Sequence, residues 1–449
     1  MDTQIKGRES KMNTATVILF RWAGTALLGC VLLQAAGCGT SQPTFKKQGR
    51  LSVNVCEAPY RAAGDGLTND RIAIQSAIDD VFVAGGGTVT LPSGLTFLSG
   101  EIQLKDSVVL HIDGILKKSN VASHFGHPTV YGRMNPGSSL NWDLCSYANY
   151  PLIYTTSGTT NVTIQGSGAL EMNYTGEDKS TIHVASIGLF DTEHFIIKDI
   201  TINNASQPQI WPVRCRHGEV ANVRIANPAP RMNNEAICLC NCQNVHIHHN
   251  YSVCGDDNID VWASYQDKRM RVWCSSANPQ PSINIEIDHN VLGQIGNGAN
   301  FNIVPWGSHA PDQEQVRIDN INIHDNTLLP FIRDERGGTG NKYHPKFHYQ
   351  EWNERSTYGH SPLSNIKIHN NGIGHDTMHD GAEPHFPCVG FQTNDITDPW
   401  FTDAISSARE DVRQERGKVR YWLPPTDLGG LWDPPSAGKR FLGLSGRWH

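Results

Sequence analysis

Two adjacent acidic residues, Asp256 and Asp257, follow a glycine and a short apolar segment in the stretch Val253 to Asp260. A third acidic residue, Glu235, precedes Asp256 by 21 residues. Carboxylates that lie close together repel, which pushes one of them toward the protonated form. A protonated carboxyl beside an ionised one is the pair that general acid–base hydrolysis requires. These three residues are therefore the candidate catalytic group, provided that the fold brings Glu235 to the pair.

Short segments with one common pattern, Asn-apolar-polar-apolar, recur along the chain and must position these acids. The copies begin at Asn161, Asn222, Asn244, Asn284, Asn320 and Asn365, and Phe195–Ile200 is a looser member. The copies at Asn222 and Asn244 are 22 residues apart, and inserts separate the others more widely. A strand-and-turn unit that repeats without helices predicts a right-handed parallel β-helix, an all-β solenoid. Asn suits its turns because it tolerates left-handed backbone, and stacked Asn side chains can form a ladder.

One coil of such a solenoid would separate Glu235 from Asp256. Neighbouring strands of a sheet are about 4.8 Å apart. The 21-residue offset therefore predicts that Glu235 stacks on Asp256, which gathers three carboxylates into one patch.

A short helix is predicted near the start of the fold. Ile74, Ala77, Ile78 and Val81 have the spacing of one helical face, Asp70 is placed as its cap, and three glycines from Gly85 end it. We expect this helix to cover the open first coil, whose unpaired edge would otherwise invite aggregation.

The segment from Gly64 to Ser119 resembles the opening of a bacterial family 28 glycoside hydrolase, the polygalacturonase-like group of the pectate-lyase-like right-handed β-helix superfamily. The residues that carry the resemblance are Gly64-Asp65-Gly66, Ala73-Ile74-Gln75, Ala77-Ile78-Asp79, Gly85-Gly86-Gly87, Leu91-Pro92-Ser93-Gly94, Leu104-Lys105 and Leu110-His111-Ile112. The order of the family's active-site coils is also recognisable, and the likeness covers roughly residues 60 to 375.

The resemblance implies roles for the acids. Asp256 would be the proton donor to the glycosidic oxygen, and Glu235 and Asp257 would hold and deprotonate the attacking water in an inverting hydrolysis. Asn233, Asn297 and Arg333 would contact the substrate. No cofactor and no metal are implied.

Three positions depart from the family's pattern. Glu235 replaces Asp, Asn297 replaces His, and Glu335 replaces a Lys that would pair with a sugar carboxylate. An anion in place of that cation argues against polygalacturonate as the best substrate. Two alternatives stay open: a polysaccharide lyase that binds Ca²⁺ through carboxylates including Asp260, and a non-catalytic β-helix that binds glycan.

The composition bounds the partners and the location. The chain has 449 residues and a formal net charge of −7 without a basic block, so nucleic acid is not an expected partner. A polysaccharide is the expected partner, and we expect a monomer. Basic residues before the apolar stretch from Ala23 to Ala36 predict an export signal, and Cys38 resembles a lipoprotein attachment site.

The predicted organisation has four parts. Residues 1–38 form the signal, 39–51 a tether, 52–385 the catalytic β-helix, and 386–449 a C-terminal capping tail that contains a helix from Asp403 to Arg413.

Two further clusters are interpreted as structural. Cys238, Cys240 and Cys242 alternate, so a strand would direct all three to one face, where they would act as small buried hydrophobes. His246 and His248 alternate like metal ligands, but no acidic residue repeats beside them in the sequence. We therefore expect stacked or solvated imidazoles.

Overall fold

The structure is a computed structural model, and it describes residues 50–129, 131, 149–174, 180–227, 234–264, 280–294, 300–306, 317–328, 347–349, 363–369, 371–373, 393–396, 422–423 and 447–448. The chain divides into two compact units, 1–47 and 48–449, and the first lies outside the described residues. The predicted signal and the tether up to residue 49 therefore lie outside the described residues as well.

Three long sheets hold all but two of the strands in the described ranges. Sheet A contains, in spatial order, β1 (Leu51–Asn54), β3 (Gly87–Leu91), β6 (Val108–Ile112), β9 (Thr160–Gln165), β12 (Glu193–Lys198), β15 (Arg216–Ala221), β18 (Gln243–His248), β21 (Ser282–Asp288), β24 (Ile318–His324), β27 (Leu363–His369) and β29 (Thr393–Ile396). Sheet B contains β2 (Asp65–Asn69), β4 (Thr96–Ser99), β7 (Ile115–Lys118), β10 (Ala169–Glu171), β13 (Thr201–Asn203), β16 (Arg224–Ala226), β19 (Tyr251–Cys254), β22 (Val291–Gln294), β25 (Thr327–Leu328) and β28 (Gly372–Ile373). Sheet C contains β5 (Ile102–Gln103), β8 (Ile153–Tyr154), β11 (Ile187–Phe190), β14 (Ile210–Val213), β17 (Ile237–Cys240), β20 (Ile259–Ser264), β23 (Phe301–Trp306) and β26 (Phe347–Tyr349).

The eight coils from β3 to β26 each contribute one strand to each sheet, and strands of the three sheets pair in parallel with their counterparts one coil away, as β18 does with β15 and β21. The crossover connection between two parallel strands of one sheet is right-handed in nearly all proteins. The right-handed parallel β-helix predicted from the sequence is therefore confirmed.

The inner face of each sheet forms one continuous apolar core. In sheet A the inward column runs through Val162, Phe195, Gly218, Val245, Ile285, Ile321 and Ile366. Gly218 has no side chain because the Phe195 ring occupies that space: a Cβ added at Gly218 would lie 2.0 Å from Phe195 Cζ. A large residue and a small one thus share one volume of the core.

The Asn that begins most repeats has the same structural role in each coil. It lies at one position of sheet A where the backbone is left-handed, with φ between 52° and 58°. This position is occupied by Asn161, His194, His217, Asn244, Asn284, Asn320 and Asn365. Asn and His tolerate this conformation better than most residues.

Asn222 does not belong to this column, so its assignment as a repeat was wrong. Asn222 lies in the turn after β15, and the true counterpart of Asn244 in that coil is His217, because Gly218 pairs with Val245. The sequence pattern matched Asn222 since this turn also needs a left-handed residue, with φ of 54°.

A buried asparagine ladder, as expected, follows the turn between sheets A and B. Its members are Asn250, Asn290, Asn326 and Asn371. The Nδ2 atom of each of the first three donates to Oδ1 of the next member, at 2.8–2.9 Å. The amides satisfy one another and the turn backbone, so the fold can bury them.

The predicted helix α1 (Arg71–Val83) buries the four expected residues, Ile74, Ala77, Ile78 and Val81. Its cap differs from the expectation. The Asp70 side chain makes no bond to the helix and accepts instead from the Ala63 and Gly64 amides, at 2.6 and 3.1 Å. Asp70 therefore closes the preceding turn. Whether the helix serves as a cover for the first coil stays a prediction.

Beyond residue 385 the described residues add one strand to the solenoid, since β29 pairs in parallel with β27. Two short strands, β30 (Trp422–Leu423) and β31 (Arg447–Trp448), form an antiparallel pair. A 3₁₀ turn spans Ala122–His124. The predicted tail helix lies outside the described residues. In the described part of the chain, no helix is long and apolar enough to cross a membrane.

Candidate active site

The candidate acids lie at the edge of sheet C, where the chain enters β17 and β20. Ile237 pairs with Ile259, so the two coils are offset by 22 residues. The Ala236 amide donates to the Asp257 carbonyl at 2.9 Å, which continues the same register toward Glu235. Glu235 is therefore opposite Asp257, and the predicted stacking on Asp256 was wrong by one residue. The expected gathering of the acids holds.

Hydrogen bonds from neighbouring side chains fix the turn that carries the acid pair. Asn234 Oδ1 accepts the Gly255 amide at 3.0 Å. Asn258 Nδ2 donates to the Gly293 carbonyl at 2.8 Å and to Asn300 Oδ1 at 2.9 Å. The Cys254 thiol points to the Asp256 and Asp257 carbonyls at 3.1 and 3.3 Å. This bonding fixes the backbone that presents the acids.

The three acids differ in exposure. Glu235 and Asp257 are 4% and 8% exposed, whereas Asp256 is half-buried. Asn302 Nδ2 donates to Asp257 Oδ2 at 2.6 Å, which orients that carboxylate. Asp256 is thus the acid that a ligand outside the sheet reaches most easily.

A fourth carboxyl, Asp260, completes the cluster and is fully buried. Burial first, and then the charges of Asp257, Glu235 and Asp256, raise the pKa of Asp260 well above its usual range. Contact between the Asp260 and Asp257 carboxyl groups acts in the same direction. Asp260 therefore keeps its proton to a higher pH than an ordinary carboxyl does.

Neither Asp260 nor Asn302 was predicted from the sequence to belong to the hydrolytic site. Asp260 was named only as a possible calcium ligand of a lyase. A signal for both was present. Asp260 lies between Ile259 and Val261, and Asn302 lies between Phe301 and Ile303, so alternation directs both polar side chains to the outer face of sheet C.

The outer face of sheet C beside the acids is apolar. A small cluster there contains Ala185, Phe190, Trp211, Val213, Cys238 and Cys240, with Tyr150 and Trp262 packed against it. The cysteines are free and buried, as expected, but they do not share one face: Cys242 follows the end of β17 and packs in the main core. Burial raises the pKa of the Cys238 and Cys254 thiols well above the usual value, and the nearby carboxylates add to the rise. These thiols are therefore poor nucleophiles.

The predicted substrate contacts Asn233, Asn297 and Arg333 lie outside the described residues, as does the departure at Glu335. The structure thus describes all three predicted catalytic acids and none of the predicted substrate contacts.

His246 and His248 were expected to be stacked or solvated imidazoles. Their ring centroids lie 4.0 Å apart with an angle of 30° between the planes, and a carboxylate from a neighbouring coil contacts each ring as well. His246 Nε2 lies 2.5 Å from Asp288 Oδ2, and His248 Nε2 lies 3.0 Å from Glu219 Oε1. These acids come from neighbouring coils, 42 and 29 residues away along the chain. No local sequence pattern could have paired them.

Comparison with known proteins matches the central part of the chain to one family. Residues 148–329, which contain Glu235, Asp256, Asp257 and Asp260, match the family model Glycosyl hydrolases family 28. The resemblance predicted from the sequence is confirmed over this segment.

Individual relatives are more distant. The mannuronan C5-epimerase AlgE1 of Azotobacter vinelandii is 49% identical over 63 residues, which is 12% of this chain and 4% of that protein. A probable polygalacturonase of Vitis vinifera is 26% identical over 221 residues, 46% of this chain and 44% of that protein. The chain therefore matches much less than two thirds of either relative. The crystal structure of an exopolygalacturonase from Thermotoga maritima is similar with a TM-score of 0.49 and 18% identity, over 75% of this chain and 78% of that one.

Proposed function

We propose that the protein is an exported glycoside hydrolase that cleaves a pectin-like or related polysaccharide with inversion. One observation carries this proposal: strand register brings Glu235 opposite Asp257 and next to Asp256, inside the segment that matches the hydrolase family. An inverting hydrolase needs one carboxylic acid for the leaving oxygen and a carboxylate base for water.

Asp256 is the proposed acid. It is the most exposed of the four carboxyls, and it follows a turn that backbone and side-chain bonds hold in place. Its proton would go to the glycosidic oxygen as the C–O bond to the leaving sugar breaks. The negative charges around it favour the protonated form before the reaction.

Glu235 and Asp257 are the proposed holders of the attacking water. One of them accepts a proton from the water as the water oxygen bonds to the anomeric carbon, so the proton that Asp256 gives to the leaving oxygen is balanced by the proton that this carboxylate gains. Asn302 positions Asp257, because its Nδ2 donates to Asp257 Oδ2. The buried Asp260 adds a further carboxyl group beside them. We call Asn302 a positioning residue.

The substrate is proposed from the resemblance and its departures. The matched relatives are named for polymers of uronic acids, mannuronan and polygalacturonate. Glu335 stands where the family has a cation for the sugar carboxylate. A pectic polymer with neutral or esterified sugars at that subsite suits this change better than unbranched polygalacturonate.

Export and lipid attachment at Cys38 are part of the proposal and rest on the sequence from Lys6 to Cys38. Bacterial cells that express the protein are grown with a labelled fatty-acid analogue to test the attachment. Label on the parent protein and none on Cys38→Ser is the expected result, and equal label on both would show that Cys38 is not the anchor.

The test of hydrolysis compares the parent with Asp256→Asn on a panel of acidic, esterified and neutral polysaccharides. Reducing ends and unsaturated ends are both measured, with and without EDTA. We expect reducing ends only, at a rate that falls by about 10²–10⁴-fold in the variant. Asp199→Asn is the matched control, because Asp199 is exposed in a left-handed turn that Asn also tolerates.

Other outcomes decide against hydrolysis. Unsaturated ends that EDTA abolishes would identify a lyase. Glycan binding without any new ends would identify a non-catalytic glycan-binding β-helix.

A further inference from the structure

The outer face of sheet A carries a checkerboard of histidines and carboxylates, remote in the fold from the acids on sheet C. Two neighbouring columns of side chains form it. One contains Glu219, His246 and Glu286, and the other contains His248, Asp288, His324 and His369. The alternation arises only when strands from successive coils lie side by side.

Four of these residues surround one point on β21, and we name them the β21 quartet: His246, Glu286, Asp288 and His324. Glu286 and Asp288 are two residues apart on β21, so they share a face. In the strand register, His246 on β18 is opposite Glu286, and His324 on β24 is opposite Asp288. The side chains then meet diagonally: His246 Nε2 lies 2.5 Å from Asp288 Oδ2, and His324 Nε2 lies 2.5 Å from Glu286 Oε1.

We propose that the β21 quartet binds one divalent transition-metal ion, with Zn²⁺ as the representative. Donor atoms of Glu286, Asp288 and His324 lie within 4.8 Å of one another, and the described part of the chain holds one such group. Two imidazole nitrogens and two carboxylate oxygens form a ligand set that suits Zn²⁺, at about 2.0–2.2 Å from the ion. In a tetrahedral site these donors are about 3.4 Å apart, so each diagonal pair opens by roughly 1 Å on binding. His246 contacts Asp288 but lies outside the mutually close group, so its ring must also move toward the other donors.

The groups behind the donors are arranged as metal sites require. His324 Nδ1 lies 2.8 Å from Asp325 Oδ2, and an imidazole that donates its proton there presents a free lone pair at Nε2. His289 Nδ1 holds the second oxygen of Asp288 at 2.6 Å. Asn322 Nδ2 donates to Glu286 Oε1 at 2.8 Å. Three of the four donors thus have an outer partner that orients them.

The location gives the ion a structural effect. Asp288 is only 6% exposed, and the three strands that supply the quartet belong to three successive coils. An ion held by all three would cross-link the coils and stabilise the folded chain by mass action. The acids of the proposed hydrolytic site lie on sheet C, so the ion would contact none of them.

The test is a calorimetric titration of Zn²⁺ into full-length protein purified without a histidine tag and stripped with chelator. We expect one ion bound per chain and a Zn²⁺-dependent rise in melting temperature. His324→Gln should weaken binding by more than about 100-fold, because loss of an outer partner alone costs 10–100-fold. Its melting temperature in chelator shows whether it folds, and His246→Gln is the second variant.

His111→Gln is the matched control. His111 lies in the same outer column of sheet A, six strands before His324, and its ring pairs with a single carboxylate, Asp113, at 2.9 Å. The control should bind Zn²⁺ like the parent. Co²⁺ substitution adds a spectroscopic reading, with weak visible bands of nitrogen and oxygen ligation and no thiolate charge-transfer band.

Three results would overturn the proposal. They are the absence of saturable Zn²⁺ binding to the stripped parent, unchanged binding in both quartet variants, and a thiolate band with Co²⁺. Loss of hydrolysis in Asp256→Asn leaves the metal test unaffected, so the two proposals fail independently.

Discussion

The buried asparagine ladder predicts a large and calculable loss of stability for Asn290→Ala. The Asn290 side chain makes four hydrogen bonds. Its Nδ2 donates to the Ile247 carbonyl at 3.0 Å and to Asn326 Oδ1 at 2.9 Å, and its Oδ1 accepts the amide and the side-chain nitrogen of Asn250 at 3.0 and 2.9 Å. Each bond contributes about 1 kcal/mol net, so the substitution should cost roughly 4 kcal/mol. The Asn250 amide is also left without its acceptor inside the protein.

Thermal unfolding followed by circular dichroism measures this loss. At roughly 1 °C per kcal/mol for a chain of this size, the melting temperature should fall by about 4 °C. Asn284→Gly is the matched control on the same coil. Asn284 is exposed and has φ of 57°. Its side chain makes two bonds near solvent: Nδ2 donates to Asn244 Oδ1 of the preceding coil at 2.9 Å, and Oδ1 accepts from Asn320 Nδ2 of the following coil at 2.8 Å. Glycine tolerates that backbone, so its cost should be under about 1 kcal/mol.

A double-mutant cycle sharpens the argument. Asn290 and Asn326 share a side-chain bond. Asn290→Ala with Asn326→Ala should therefore cost about 1 kcal/mol less than the sum of the two single changes. A loss at Asn290 no larger than at Asn284, or strict additivity in the cycle, would show that the ladder does not hold the coils together.

Three further predictions concern buried groups. The pKa of Asp260 is raised in the folded state, so its contribution to stability is full below its unfolded pKa and is lost as the pH rises through its folded pKa. Asp260→Asn should remove that loss. Equal slopes of melting temperature against pH for the variant and the parent would contradict this prediction. Burial lowers the pKa of Lys118 from 10.5 to about 7, so between these two pH values the folded state binds fewer protons than the unfolded state. The free energy of unfolding should therefore rise by up to about 1.4 kcal/mol per pH unit in this range. Urea unfolding of Lys118→Met at pH 7 to 10 should show a flatter rise. Gly218→Val should cost about 1–3 kcal/mol of stability, because the new side chain collides with the Phe195 ring. Adding Phe195→Val should recover most of this loss. A double variant as unstable as Gly218→Val would show that the two residues do not share one volume of the core.

Much of the fold could be predicted from local sequence. Alternation in segments such as Asn284–Ile287 marks strands with one buried face, and Asn at left-handed positions marks the bends, because both properties depend on a few adjacent residues. The helix face of Ile74, Ala77, Ile78 and Val81 is equally local and is confirmed. The acid pair Asp256–Asp257 was identified for the same reason.

The register between coils could not be read in this way. Successive coils of sheet C are offset by 22 residues from β17 to β20 and by 42 from β20 to β23. The length of each insert is free, so a sequence spacing does not determine which side chains meet. This is why Glu235 faces Asp257 instead of Asp256, and why Asn222 was mistaken for a repeat.

The sequence by itself thus determined the strand repeat, the class of solenoid and the acids that could perform hydrolysis. Tertiary structure alone decided that Asp260 is buried against Asp257 and that His246 and His324 meet the carboxylates of β21. The physical reason is that hydrogen-bond register between parallel strands joins residues 19 to 54 positions apart. It converts unremarkable local patterns into charge clusters on two faces of one β-helix.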